Sequence, residues 1–132
     1  MRRSLLGKWP DVKWTEQIMR EGMQIESAEI SVDEKVRLLD AVSETGLKRI
    51  VVGSFVHPKW TPQMAHVDEI MEKFHPKPGV IYTALAMGSR GAERYMKWVP
   101  PLAPLDQRPN ATHCHACDVF TKRNTNRYQA QA

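Results

Sequence analysis

Cysteine and long apolar runs are both scarce in this chain of 132 residues, which contains only two cysteines. No run approaches the ~18 apolar residues of a membrane-spanning helix. Near the N-terminus, two arginines are followed by only two leucines before Lys8 and Trp9, too few for the apolar core of a signal peptide. With two cysteines three residues apart and no secretory signal, we expect a cytoplasmic protein without a membrane partner.

Charge of one sign is not concentrated in any region. The 19 basic residues exceed the 15 acidic ones, for a formal net charge of +4, but the two kinds are interspersed. Because there is no long basic run, we expect no nucleic-acid partner. The length allows one domain with a hydrophobic core, and residues 1–132 are interpreted as a single domain.

Strand and helix patterns alternate along the chain. The predicted strands are residues 13–19, 49–56, 80–86 and 111–120. The predicted helices are a segment between Ser31 and Gly46, residues 63–74 and residues 89–98, the last with a glycine, Gly91, in its interior. This β-α-β-α-β-α-β order favours a parallel sheet with right-handed crossovers.

The first predicted helix has the clearest local signals. Ser31 and Glu34 form a capping-box pattern, in which each side chain can satisfy a free amide at the helix start. Apolar residues then recur at helical spacing, at Val32, Val36, Leu39 and Val42. Gly46 is typical of the end of a helix.

An arginine and an acidic residue, Arg20 and Glu21, stand side by side just past the first predicted strand. Gly22 follows them and permits a sharp turn. Because α/β folds build their sites at the carboxyl ends of strands, this pair is a candidate site. The alternative is a solvated ion pair beside a turn.

Three segments of the chain resemble the motifs of one enzyme family. They are residues 20–24 (REGMQ), 54–64 (SFVHPKWTPQM) and 120–124 (FTKRN). Together they resemble the hydroxymethylglutaryl-CoA lyase branch of the metal-dependent TIM-barrel lyases and synthases. The middle segment is the most specific of the three. The resemblance covers about residues 13–127 and leaves residues 1–12 as an N-terminal extension.

The resemblance implies the α/β fold of a TIM barrel, which needs ~250 residues in a typical case. This chain has room for about half of one, with about four parallel strands and their helices. Its last residues, 128–132, have a helix-like composition without a cap or breaker. We therefore expect the N-terminal half of a barrel, truncated in its fourth helix. The last strand would have an unpaired edge, through which a homo-oligomer could form.

The resemblance also implies a mechanism in which a divalent metal, Mg²⁺ or Mn²⁺, holds a 3-hydroxy acid or its acyl-CoA while the C2–C3 bond breaks. Arg20 matches the arginine that stabilises the departing enolate, a suitable role for a permanent cation. Glu21 matches the metal-binding carboxylate, and the remaining ligands are expected beyond residue 132. Gln24 would orient substrate oxygens, and Glu16 matches an acidic catalytic position on the first strand.

Further residues are expected near the substrate, and some of them depart from the family pattern. The substrate-binding candidates are Gln24, Ser54, His57, Lys59 and Asn124. His57 stands where the lyases often have Ser, and Glu21 stands where they usually have Asp. Val51 replaces a catalytic Glu that the family carries on the second strand. These departures predict an altered substrate or chemistry.

Three alternatives stay open on the sequence alone. The first is a condensing synthase of the same family, although those enzymes usually have an acidic residue where this chain has Met23. The second is a small zinc-binding or redox module using Cys114 and Cys117, with His113 or His115 as further ligands. Side chains three apart on a strand point to opposite faces, which disfavours that chelate. The third is an interaction protein whose half-barrel pairs with another half.

Overall fold

The computed structural model describes residues 13–105. In this part of the chain, two strands, β1 (Arg49–Phe55) and β2 (Ile81–Ala86), alternate with three helices. The helices are α1 (Val32–Ser43), α2 (Val67–Lys73) and α3 (Gly88–Met96). The predicted fourth strand at 111–120 and the extension at 1–12 lie outside the described residues. None of the described helices has the length and apolar character needed to cross a membrane.

The sheet has the parallel order that the alternating pattern predicts. Strands β1 and β2 are parallel neighbours, with Ile50 opposite Tyr82. A single parallel bridge joins Glu16 to Ile50 on one side, and another joins Tyr82 to Leu102 on the other. Four successive segments therefore lie side by side in chain order, each parallel to the next, as consecutive strands of a barrel do.

The predicted first strand, residues 13–19, is wrong over most of its length. Only Glu16 pairs with β1, through its amide to the carbonyl of Arg49 (2.9 Å) and its carbonyl to the amide of Val51 (2.8 Å). A π-helical turn, Ile18–Gly22, then replaces the second half of the strand. The Glu16 carboxylate accepts hydrogen bonds from the next two amides, at 2.9 and 2.8 Å. These bonds satisfy amides that a strand would have used for pairing, so the chain turns early.

A bulge at Gly53 changes which face of β1 the side chains occupy. Val51 pairs with Thr83 but Ser54 pairs with Leu85, so β1 contains one more residue than β2 over this stretch. Gly53 has a φ of +152°, and a Cβ there would lie 2.9 Å from a methyl group of Val67. Because strand side chains alternate, the extra residue puts Ser54 on the face of Val51. Phe55 falls on the opposite, helix-covered face, where its ring meets Tyr95 of α3.

The core lies between the sheet and the helices. Leu39 of α1, Ile50 and Val52 of β1, and Tyr82 of β2 are fully or almost fully buried. Tyr82 also donates a hydrogen bond to Ser43 Oγ (2.8 Å), which ties β2 to the end of α1. The buried face of the sheet is thus the one that the helices cover, as in an α/β layer structure.

Helix α1 confirms the capping box. Ser31 Oγ accepts from the Glu34 amide at 3.2 Å, and the Glu34 carboxylate accepts from the Ser31 amide at 3.0 Å. The helix ends at Ser43, and Gly46 follows with a positive φ of 87°. The local signals were sufficient here because both partners of each bond lie within one helical turn.

The capping box should make the stability of this chain depend on pH. Hydrogen bonds from Ser31 lower the pKa of the Glu34 carboxyl below its ordinary value of 4.5. Because the folded state favours the ionised form, the stabilisation is complete above pH 4.5 and is lost as the pH falls through the lowered pKa. We expect the melting temperature to fall less between pH 7 and pH 3 in Glu34→Gln than in the parent chain. Glu29→Gln, at an exposed position before the helix, should behave like the parent in the same thermal melts.

The second predicted helix, residues 63–74, begins later than expected. Its first part is a 3₁₀ turn, Pro62–Met64, and α2 starts only at Val67. Proline is well suited to the first position of such a turn, since it has no amide to satisfy. The predicted loop at 57–62 and the predicted strands at 49–56 and 80–86 agree with the structure to within a residue or two.

Helix α3 packs unusually close to the end of β1. A Cβ at Gly91 would lie 2.6 Å from the backbone carbonyl oxygen of Phe55. On the same side, Arg94 donates to the Asp68 carboxylate of α2 and to the Val56 carbonyl. Trp98 Nε1 also donates to Asp68, at 2.9 Å. The glycine that weakened the helix prediction is therefore the residue that allows α3 to approach.

Candidate functional site

Two loops that carry predicted site residues lie at the same end of the sheet. The first loop, residues 17–26, follows the pairing at Glu16, and the second loop, residues 56–64, follows β1. Because the segments are parallel, both loops leave from their carboxyl ends. Gln63 Nε2 in the second loop donates to the Glu26 carbonyl in the first, at 3.2 Å. The structure therefore places residues 20–24 and 57–59 at one rim, as expected from the topology.

Arg20 and Glu21 form an ion pair at this rim. Arg20 Nη1 lies 2.6 Å from Glu21 Oε1 and donates to Gln17 Oε1 at 2.8 Å. The Arg20 side chain is 24% exposed, whereas the Glu21 side chain is 58% exposed. Arg20 Nε is buried and has no hydrogen-bond partner among residues 13–105. Solvent screens the ion pair, and the partial exposure of the Arg20 side chain is compatible with contact to a substrate oxygen, whereas its Nε is closed to solvent.

Glu16 has a structural task in this arrangement. One carboxylate oxygen, Oε1, accepts from the amides of Gln17 and Ile18 and fixes the turn that carries Arg20. The side chain therefore shapes the first loop. Its predicted catalytic role stays a prediction.

The remaining predicted residues differ in how they are placed. Ser54 is 1% exposed, and its Oγ has no hydrogen-bond partner in the described part of the chain. Gln24 is half-buried, whereas His57 and Lys59 are exposed. The Lys59 amide donates to His57 Nδ1 at 3.2 Å, and the Lys59 ammonium lies 5.9 Å from the Trp60 ring centre. His57 and Lys59 thus form one group on the second loop, separate from the Arg20–Glu21 pair on the first.

A cavity of about 440 Å³ lies between the second loop and the start of α3. His57 and Pro58 line one side, and Ser89, Arg90 and Arg94 line the other. The α3 residues of this cavity are not among the candidates predicted from the sequence. The signal for Ser89 and Arg90 was available, because they directly follow the third predicted strand, where another site loop is expected.

A hard divalent cation would find few oxygen ligands among the described residues of this rim. Such ions take several oxygen ligands, and Glu21 supplies one carboxylate whose Oε1 is paired with Arg20. Within residues 13–105, no group of three or more His, Cys, Asp or Glu side chains is placed to hold a metal. The described residues therefore fit a single ligand of a metal site. Asn124, Cys114 and Cys117 lie outside the described residues, so their predicted roles are untested.

Comparison with curated proteins identifies relatives of one kind. A 3-hydroxy-3-isohexenylglutaryl-CoA/hydroxymethylglutaryl-CoA lyase of Pseudomonas aeruginosa is 39% identical over 107 residues, which make up 81% of this chain and 33% of that protein. The mitochondrial hydroxymethylglutaryl-CoA lyase of Gallus gallus is 35% identical over 115 residues, or 87% of this chain and 36% of that protein. This chain thus spans about a third of the length of the curated relatives it matches. No protein-family model matches the chain.

Solved structures agree with the curated relatives. The hydroxymethylglutaryl-CoA lyase of Pseudomonas aeruginosa matches with a TM-score of 0.60 and 44% identity, over 63% of this chain and 28% of that one. A lyase of Acinetobacter baumannii in complex with coenzyme A and 3-methylmalate matches with a TM-score of 0.61 and 32% identity, over 63% and 27%. The parallel segments described above correspond to the N-terminal part of these TIM barrels. The predicted fold class is confirmed.

Proposed function

This chain is a homologue of the N-terminal portion of hydroxymethylglutaryl-CoA lyases, and from that premise we propose that it contributes part of the active site of a carbon–carbon lyase. The substrate would be a 3-hydroxy acid or its CoA thioester. The observation that carries the proposal is the Arg20–Glu21 pair at the carboxyl rim, where both side chains are at least partly exposed.

Each rim residue has a defined task in the proposed reaction. Arg20 would donate hydrogen bonds to the oxygen on which negative charge accumulates as the C2–C3 bond breaks. A guanidinium suits this task because it stays protonated at all relevant pH values and presents several donors in a fixed plane. Ser54 Oγ and the Gln24 amide would orient other substrate oxygens, with Ser54 on the face of β1 opposite the helices.

A divalent metal, Mg²⁺ or Mn²⁺, would polarise the substrate oxygens in such a reaction. Glu21 is the residue of this chain that would ligate it, and the other ligands would come from outside the described residues. Val51 occupies the same face of β1 as Ser54 and offers no proton-transfer group there. We therefore propose that proton transfer differs from that of lyases with Glu at this position.

The second loop would border the acyl or CoA part of the substrate. His57 and Lys59 are exposed on that loop, and the cavity beside it is lined by His57, Arg90 and Arg94, so three nitrogen-bearing side chains border one cavity. The complex of the Acinetobacter baumannii relative contains coenzyme A. A CoA-linked substrate for this chain is accordingly part of the proposal, and the predicted cytoplasmic location is retained as a proposal as well.

Binding of Mn²⁺ to the isolated chain should be weak and centred on Glu21. We expect millimolar Mn²⁺ to broaden the ¹⁵N–¹H signals of residues 20–22 first, since a single carboxylate gives little affinity but does localise the ion. Glu21→Gln should abolish the selective broadening, and Glu29→Gln should leave it unchanged.

The same samples can be assayed for activity, and two outcomes would contradict the proposal. We expect no acetyl-CoA release from hydroxymethylglutaryl-CoA by the chain alone, because the described residues assemble no group of three or more His, Cys, Asp or Glu side chains that could hold a metal. Micromolar Mn²⁺ affinity together with turnover would show that the chain holds a complete site. Broadening that is centred elsewhere, or that persists in Glu21→Gln, would remove Glu21 as the ligand.

A further inference from the structure

A buried lysine connects α1 to the second loop. Lys35 is 1% exposed, and its Nζ donates to the carbonyl oxygen of Gln63 at 2.9 Å. In the described part of the chain, no ion pair joins Lys35 to a carboxylate. A buried cation without an anionic partner is unusual, because lysine is almost never fully buried unless it is paired.

Burial of this ammonium is unfavourable in itself. Removal from water lowers the pKa of Lys35 below its ordinary value. A methionine or leucine would fill similar space without that penalty, so packing alone gives no reason for a lysine here. The directional bond to the Gln63 carbonyl is the feature that an apolar side chain could not supply.

Gln63 extends the connection to the first loop. While its carbonyl accepts from Lys35, its side-chain Nε2 donates to the Glu26 carbonyl at 3.2 Å. The 3₁₀ turn that contains Gln63 directly follows the loop with His57 and Lys59, and Glu26 directly follows the segment with Arg20, Glu21 and Gln24. Gln63 therefore accepts a hydrogen bond from helix α1 and donates another to the first loop.

We propose that Lys35 and Gln63 are positioning residues that hold the two loops of the candidate site at a fixed separation. The link runs from α1 through Gln63 to Glu26, and neither side chain needs to touch substrate. The proposal rests on the proposed function in one respect only, namely that these loops carry the site. Its geometric content can be tested in the absence of metal and substrate.

The test measures the distance between the loops by electron paramagnetic resonance. Spin labels are attached to cysteines at Ile25 and Trp60, which are 84% and 80% exposed and lie one on each loop. The background carries Cys114→Ser and Cys117→Ser, so that only the two introduced thiols react. The parent chain should give one narrow distance distribution by pulsed and continuous-wave measurements.

Lys35→Met should add a broader, longer component to that distribution. Loss of a hydrogen bond from a charged donor changes the ratio of held to released loops by roughly tenfold or more. Gln63→Leu breaks the bond to Glu26 without touching the buried lysine, and it should broaden the distribution in the same way. This second variant keeps the test decisive if Lys35→Met fails to fold.

Lys73→Met is the matched control. Lys73 of α2 pairs with Asp33 of α1 at 2.8 Å, so it also joins two elements, but its side chain is exposed and it takes no part in the bonds of Gln63. Its removal should leave the distribution narrow. A lower melting temperature with an unchanged distribution in both Lys35→Met and Gln63→Leu would reduce the link to ordinary stabilisation and overturn the proposal. Because no metal or substrate is added, that failure would be separate from a failure of the proposed lyase function.

Discussion

Replacing Arg20 with glutamine is expected to lower kcat for carbon–carbon cleavage by about 10²- to 10³-fold, the usual effect of removing one donor to a developing oxyanion. The measurement needs a complete enzyme, so residues 13–127 would replace the matching portion of the Pseudomonas aeruginosa relative, which is 39% identical. The size of the effect follows from the Arg20 guanidinium, a permanent cation that is partly exposed at the rim and presents several donors to one oxygen.

The hybrid experiment has its own controls. Arg37→Gln removes a cation from an exposed position of α1 and should leave kcat within about twofold, as is usual for surface changes. A parallel hybrid with Val51→Glu restores the acidic residue of the family pattern and shows whether that departure limits the rate. The contrary result would be that Arg20→Gln raises only KM and leaves kcat unchanged, both in the hybrid with Val51 and in the hybrid with Val51→Glu. Arg20 would then bind substrate without stabilising the transition state.

Replacing Gly91 with alanine should destabilise the chain by about 1–3 kcal/mol, the usual range for overpacking a tight contact. On helix propensity alone the change should stabilise α3 by about 1 kcal/mol, so the two arguments predict opposite signs. The clash decides, because the new Cβ would lie 2.6 Å from a backbone oxygen that cannot rotate away. Urea unfolding followed by circular dichroism measures the difference directly.

Ser89→Ala is the matched control for Gly91→Ala. Ser89 is an exposed position in the first turn of the same helix. We expect a change within about 0.5 kcal/mol, as for most surface substitutions. An increase in stability for Gly91→Ala would mean that α3 can move away from β1, and the close packing would then have little energetic weight.

Local signals explain most of what the sequence predicted correctly. Ser31 and Glu34 satisfy each other within one turn, and the apolar runs of β1 and β2 have no competing pattern. The motif resemblance added the barrel topology, which periodicity alone leaves open. The placement of Arg20, Glu21 and His57 at one rim followed from strand direction and did not require side-chain detail.

The errors and omissions have non-local causes. The first strand was overextended because the bonds that end it come from the Glu16 carboxylate to its own neighbouring amides, a competition that the apolar pattern does not record. Helix α2 was started too early because Pro62 and Gln63 serve a 3₁₀ turn that is joined to Lys35, a residue 28 positions away. The face on which Ser54 lies depends on the bulge before it.

That bulge has a further consequence for how β1 can vary. If β1 paired with β2 without the bulge while keeping Gly53, Ser54 and Phe55 would exchange faces, so that the hydroxyl would enter the helix layer and the ring would project from the opposite face. Tyr95 would lose its aromatic neighbour, and the rim would lose a polar group, through a change that removes neither side chain. Relatives whose strand has the same residues but no bulge should therefore differ in what their sites can hold, even where every motif residue is the same.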